Sequence, residues 1–248
     1  MQRYFAENVE DTFLIKEDDF HHITRVMRMK LDEEIYCVNS NQQTARCKIE
    51  NITENEVVAK VIQWVEEDIE LPVKVTIVSG LPKGDKLEWI IQKGTELGAH
   101  EFIPFIASRS IVKWDAKKSD KKISRWNKIA KEAAEQSHRA AIPNVIAPVS
   151  PKELIKMAAD YDVLIIAYEE EAKALESANL ARALSSMKKG QSILAVFGPE
   201  GGLTDTEVEL LTDNGFIACG LGPRILRTET APLYLLSAVS YHFELMNG

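Results

Sequence analysis

Two short apolar runs near the C-terminus each empty into a loop built of glycine and proline. The first is Ser192-Ile193-Leu194-Ala195-Val196-Phe197, followed by Gly198-Pro199-Glu200-Gly201-Gly202-Leu203-Thr204. The second is Phe216-Ile217-Ala218-Cys219, which leads to Leu221-Gly222-Pro223-Arg224-Ile225-Leu226-Arg227-Thr228-Glu229-Thr230-Ala231-Pro232. Strand-to-helix loops offer unpaired backbone N–H groups at the carboxyl ends of strands, where open α/β sheets hold ligands. Gly198, Gly201, Gly202 and Gly222 carry no Cβ, so a flat ligand can approach the backbone closely there. The spacing is neither GxxxxGK followed by Ser or Thr, nor GxGxxG, which argues against a phosphate loop and an ordinary dinucleotide fingerprint. The residue types point to a small-ligand pocket; two tight turns in a packed domain are the competing reading.

The elements that must position these loops alternate strand and helix from Val73 onward. Val73–Val78 reads as a strand, Asp85–Leu97 as an amphipathic helix with Gly98 at its C-terminal cap, and Phe102–Ile106 as a strand. A long basic helix follows within Lys117–Arg139, carrying Lys121, Lys122, Arg125, Lys128 and Lys131. Its cations read as a solvated face ahead of a second nucleic-acid grip. Ser150-Pro151-Lys152-Glu153 and Thr204-Asp205-Thr206-Glu207 are capping boxes that start helices. Tyr161–Ala167 is apolar without alternation, as in a parallel strand covered on both faces. The last helix, Thr230–Met246, is apolar nearly all round and must be central or at a subunit interface.

The first seventy residues differ. Arg3–Phe5, Thr12–Ile15, Glu34–Val38, Ala45–Ile52 and Val57–Val65 read as short strands, and Glu17–Met29 as one helix. This composition predicts a small β-barrel. Arg3, Arg25, Arg28 and Lys30 gather around His21 and His22, either as a solvated face or as a phosphate-contacting patch. The acidic stretch Glu66–Leu71, closed by Pro72, reads as an exposed linker.

Composition narrows the function classes. Hydrophobic residues make up 45% and charged residues 27%, enough for a sizeable core. No apolar run is long enough to span a membrane, and the first residues lack a charged-then-apolar signal segment. Cys37, Cys47 and Cys219 show no CxxC spacing and read as small core residues in a reducing cytoplasm. The five histidines form no HExxH-like pair, so no metal is expected. A net charge of −8 leaves nucleic-acid binding to local patches.

Gly198–Gly202 followed by Leu221–Ala231 resembles the signature of the SPOUT methyltransferases, and within them the RsmE family. Met1–Phe5 and His22–Arg28 resemble that family's amino-terminal PUA-like domain. Leu81–Asp85, Lys93–Gly98 and Glu132–Ser137 resemble its inner segments, so the likeness spans the chain. Leu31-Asp32 departs from an expected Gly-Asp, and Gly94 from an alanine. The resemblance implies an α/β fold: a PUA-like RNA-binding β-barrel over residues 1–70, then a parallel-sheet methyltransferase domain over 71–248. A trefoil knot and the cofactor site would lie within about 162–248. It further implies S-adenosylmethionine as cofactor, a homodimer, and methylation of N3 of a uridine in 16S ribosomal RNA of the small subunit. A non-catalytic RNA-binding module, or methylation of another RNA, are the alternatives.

On that reading, the cofactor is held by Gly198, Pro199, Gly201, Gly202, Leu221, Gly222 and Thr228, with apolar contact from Ile225 and Leu226. A protonated ring nitrogen is a poor nucleophile, so the site must take its proton or stabilise the anion. Arg227 suits the second task, since it stays cationic and donates through a fixed fork. Glu200, Glu229 and a water beside an arginine are the candidate bases; each carboxylate also has a structural reading, at a helix N-terminus or on loop N–H groups. RNA would be gripped by Arg3, Arg25, Arg28 and Lys30, with Lys83, Arg109 and Arg139 beyond.

Overall fold

The computed structural model describes residues 1–110, 119–168 and 178–246. Lys117, at the head of the expected basic helix, lies outside them. The chain divides into two compact units, Met1–Glu70 with Ala134–Ala141, and Leu71–Ala133 with Ile142–Gly248.

The first unit is one curled six-stranded sheet. Its strands are β1 (Arg3–Phe5), β2 (Glu7–Val9), β3 (Thr12–Lys16), β4 (Glu34–Val38), β5 (Thr44–Ile52) and β6 (Glu56–Val65), in the order β1-β4-β5-β6-β3-β2. β1 runs parallel to β4 and the other pairs are antiparallel. Register shifts between β5 and β6 at Arg46/Cys47 and Ile49/Asn51 bend the sheet. β2 was not foreseen: three residues, only one of them half-buried, leave little alternation to read. The expected helix is a short α1 (Glu17–His21) continued by a π-helical turn at His22–Val26. Only Ile23 of that turn is buried, in a core with Tyr4, Phe13, Ile35 and Ile49. Cys37 and Cys47 are free thiols in the same core.

The expected exposed linker is tied down at two glutamates. Arg3 is buried and forms an ion pair with Glu67 at 2.7 Å, while also donating to the carbonyl of Arg139 at 3.1 Å. Arg139 is buried too, and its guanidinium pairs with Glu70, whose carboxylate also accepts from the N–H groups of Ala140 and Ala141. Neither arginine can reach an RNA phosphate from these positions, which corrects the RNA-binding expectation for both. A buried guanidinium requires a fixed carboxylate partner, and here the partner is internal.

The second unit is a six-stranded all-parallel sheet with helices on both faces. Its strands are β7 (Lys74–Gly80), β8 (Glu101–Phe105), β9 (Asn144–Val145), β10 (Val163–Ala167), β11 (Ser192–Phe197) and β12 (Ile217–Cys219). Their order is β12-β10-β11-β7-β8-β9. The two-residue β9 is too short to show a period in the sequence. The described helices are α2 (Lys86–Glu96), α3 (Ser119–Gln136), α4 (Pro151–Ala158), α5 (Ala178–Ser186), α6 (Asp205–Thr212) and α7 (Ala231–Ser240), the last continued by a π-helical segment at Tyr241–Met246.

Strand alternation explains the two covered faces. Ile193, Ala195 and Phe197 of β11 join one core with residues of α2, α3, α5 and α7, whereas Leu194 and Val196 join the other with residues of α4 and α6. Both faces are apolar, hence the continuous apolar runs. The last helix resolves likewise: Leu235, Leu236 and Val239 lie in the chain's own core, while Tyr234, Tyr241, Leu245 and Met246 are exposed.

Candidate functional site

All the strands of this sheet run the same way, so the loops that follow them open at one edge. β11 enters the glycine loop with Gly198, where an added Cβ would stand 2.9 Å from backbone atoms of Gly202 and Leu203. The loop folds back through a bond from Gly202 N–H to the Pro199 carbonyl at 2.8 Å, with Gly202 at φ +68°. Gly80, ending β7, presses equally closely, since a Cβ there would meet Pro199 at 2.5 Å. Glycine is required at Gly198 and Gly80 by close approach, and at Gly202 by conformation.

Two contacts fasten this loop from the segment after β8. Arg109 donates through one guanidinium nitrogen to the carbonyls of Gly201 and Leu203, at 3.1 and 3.0 Å. Glu207, buried in the first turn of α6, accepts from the N–H and hydroxyl of Thr204 at 2.8 and 2.9 Å and from Ser108 N–H at 2.7 Å. Burial pushes the Glu207 carboxyl up, but the donors on Thr204 and Ser108 outweigh it and hold the group below its ordinary value. The capping box expected at Thr204 is therefore also a joint to a neighbouring loop.

The loop after β12 turns into α7 through the Arg227 carbonyl, which accepts from Thr230 and Ala231 N–H. Between the two loops lies a cavity of about 680 Å³, a size suited to a small-molecule ligand. Gly198, Pro199, Glu200, Gly201, Gly202, Ile225, Leu226, Arg227 and Thr228 line it. Leu221 and Gly222 do not; Leu221 packs instead against the apolar core, and Gly222 supplies a turn at φ +86°. Glu229 stands behind the lining, 3.4 Å from the ammonium of Lys86. That ammonium also meets Glu200 at 3.0 Å, and Glu200 accepts from Lys83 N–H at 3.2 Å. Burial pushes the Glu200 carboxyl up, yet Lys86 and the N–H groups of Glu200 and Lys83 hold it below the ordinary glutamate value.

The chemistry this allows is specific. The wall offers apolar surface at Phe197 and Leu226, backbone polar groups in the glycine loop, and carboxylates at Glu200 and Asp205. Such a pocket suits a flat heterocycle joined to a cationic centre. Arg227 is exposed on the wall with no ion pair among the described residues. Lys86, Tyr168 and Asp205 line the pocket and were missed as site residues; Lys86 sits just past the Leu81–Asp85 segment, the only sequence signal for it. Arg109, expected at RNA, also lines the pocket and donates to loop carbonyls. Arg25, Arg28 and Lys30 are exposed in the first unit, and Lys83 is exposed beside the glycine loop. Among the described residues no cluster could hold a metal, and no helix is long and apolar enough to cross a membrane.

Residues 69–240 match the RNA methyltransferase domain family, and residues 15–62 match the PUA domain of RNA methyltransferases. The chain is 54% identical over 254 aligned residues to the ribosomal RNA small subunit methyltransferase E of Bacillus subtilis, covering 100% of this chain and 99% of that one. It is 32% identical to the protein of the same name from Mycobacterium bovis, covering 95% and 90%. The crystal structure of a ribosomal RNA small subunit methyltransferase E from Neisseria gonorrhoeae, bound to S-adenosyl methionine, superposes with a TM-score of 0.83 at 28% identity over 97% of both chains. A family match over most of the chain, relatives sharing one name along its full length, and the same fold together mean that this chain belongs to the ribosomal RNA small subunit methyltransferase E family of RNA methyltransferases.

Proposed function

We propose that this protein transfers the methyl group of S-adenosylmethionine to N3 of a specific uridine in 16S ribosomal RNA, within the small ribosomal subunit, in the cytoplasm. The observation that carries this reading is the pocket between the two glycine loops, with Arg227 exposed on its wall. S-adenosylmethionine, when bound, supplies an electrophilic methyl group on a sulfonium. Gly198, Gly201 and Gly202 would hold it by close backbone approach, Ile225 and Leu226 by apolar contact, and Thr228 by its hydroxyl. Arg227 would bind a uracil carbonyl and stabilise the anion left when N3 loses its proton. Glu200 is a weak acceptor for that proton because Lys86 and two N–H groups already stabilise its charge. Glu229 is held by the same ammonium and stands behind the lining, so the proton passes to water beside Arg227.

The fold supports a trefoil knot in the cofactor loops: β11 is inserted between β10 and β7, and α7 returns to pack in the same core as α2. A homodimer is supported by the exposed apolar side chains Tyr234, Tyr241, Leu245 and Met246 at the chain's last helix. Arg25, Arg28, Lys30 and Lys83 are the remaining candidates for RNA phosphate.

The test is transfer of a labelled methyl group from S-adenosylmethionine to small subunits prepared from cells lacking this protein. Digestion and mass analysis should find one N3-methyluridine. Label on another base, or on large-subunit RNA, would replace the substrate; no transfer and no cofactor binding would remove the reading.

A further inference from the structure

Lys86 begins α2, directly after the loop that leaves β7. Its ammonium touches two carboxylates from two different loops: Glu200 after β11 at 3.0 Å, and Glu229 after β12 at 3.4 Å. Both carboxylates are partly buried, with 29% and 18% of their side chains exposed. Two anions this close, in a partly desolvated pocket wall, repel one another unless a cation stands between them. The other cations of the pocket do not fill that place. Arg109 is spent on the carbonyls of Gly201 and Leu203, and Arg227 makes no ion pair among the described residues.

We propose that Lys86 is a positioning residue for the transfer reaction, a single ammonium that ties the glycine loop after β11 to the loop after β12 and so sets the width of the cofactor pocket. This rests on the function proposed above. The role assigned to Lys86 is indirect. It acts through Glu200 and Glu229, and its removal leaves two like charges facing each other at the junction of the loops. The cluster of two carboxylates and one ammonium keeps one net negative charge, which complements the positive charge of a sulfonium ligand.

The experiment is calorimetric titration of S-adenosylmethionine into the full-length protein, for wild type, Lys86→Met and Lys86→Arg, across acid to neutral pH. Loss of a charge-assisted contact on each loop should weaken binding by about ten-fold or more in Lys86→Met. Lys86→Arg should recover most of that loss. The acid limb of binding should also move to higher pH in Lys86→Met, because Glu200 loses the cation that holds it ionised beside Glu229, Asp205, Arg109 and Arg227. A general packing defect would not shift that limb. Should Lys86→Met fail to fold, Glu200→Gln and Glu229→Gln carry the test, each removing one arm of the bridge and each expected to weaken binding. Lys86→Met, or both glutamine variants, binding within two-fold of wild type with an unmoved acid limb would overturn the proposal. Wild type failing to bind S-adenosylmethionine would instead sink the functional reading beneath it.

Discussion

Arg227 stands in a pocket whose other cations are engaged, Arg109 on loop carbonyls and Lys86 on carboxylates. A guanidinium with this freedom is available to a substrate, and its task is electrostatic. Arg227→Ala should therefore lower single-turnover methyl transfer by about 10²–10³ with both substrates saturating, while RNA and cofactor binding change little. An unchanged transfer rate would move the charge-stabilising role elsewhere. The glycines are tested separately. Gly198→Ala should open the loop, because the new methyl group would sit 2.9 Å from the backbone of Gly202 and Leu203. A cost of about 1–3 kcal/mol is expected from overpacking, with a loss of cofactor affinity by calorimetry. At Gly201 the obstacle is different: a larger side chain would press on Arg109, whose Cβ lies 3.1 Å from the position of an added Cβ. Gly94, where the family pattern suggests alanine, has its own cause. A Cβ there would meet the ring of Phe102 at 2.7 Å.

At the scale of elements, α6 is fixed at its start by more than its own cap. Glu207 closes the capping box with Thr204 and also accepts from Ser108, so the start of α6 and the loop after β8 share one carboxylate. Glu207→Ala strips acceptors from buried donors and should cost about 2 kcal/mol, lowering Tm by roughly 4–8 °C in a calorimetric scan. The pH dependence has a defined sign. The folded-state value lies below the unfolded one, so the carboxylate's contribution is complete above the unfolded value. It is lost as pH falls through the folded value. Wild type should lose more stability than Glu207→Ala as pH drops below about 4.5. Parallel acid-melting curves for the two proteins would show that the carboxylate adds nothing.

At the scale of the whole molecule, the proposed RNA grip and the proposed dimer contact lie on different units. Arg25 and Arg28 are exposed in the first unit, beside exposed Val26 and Met27. Replacing both arginines by alanine should weaken RNA binding across sequences. The log–log salt slope should fall by roughly 0.7–0.9 for each lost contact, with cofactor affinity unchanged. Normal RNA binding by the double variant would place the grip elsewhere, Lys83 being the next candidate. The proposed dimer must be tested away from Leu236, because on this helix, which reads from sequence as central or interfacial, that residue lies in the chain's own core. Leu245→Glu is the suitable change, since Leu245 is 76% exposed. Sedimentation should show a monomer of unaltered helix content; an intact dimer would exclude this end of the last helix.

The local chemistry follows from the order of the residues alone. Both capping boxes, the αL glycine at Gly98, the continuous apolar strands and the two glycine loops are properties of neighbouring residues, and backbone sterics decide them wherever they occur. Arg3 and Arg139 show where that legibility stops. Each looks like a surface cation in its own segment, and only the folded chain brings Glu67 and Glu70 to them. Lys86 is the same case at the pocket. Its place after Leu81–Asp85 hints at the site but not at its role, because the two carboxylates that define that role arrive from loops after β11 and β12. The last helix gave the fact of its burial but not which face was buried against what. Such pairings need side chains brought into direct contact, and separation along the chain carries no measure of that distance.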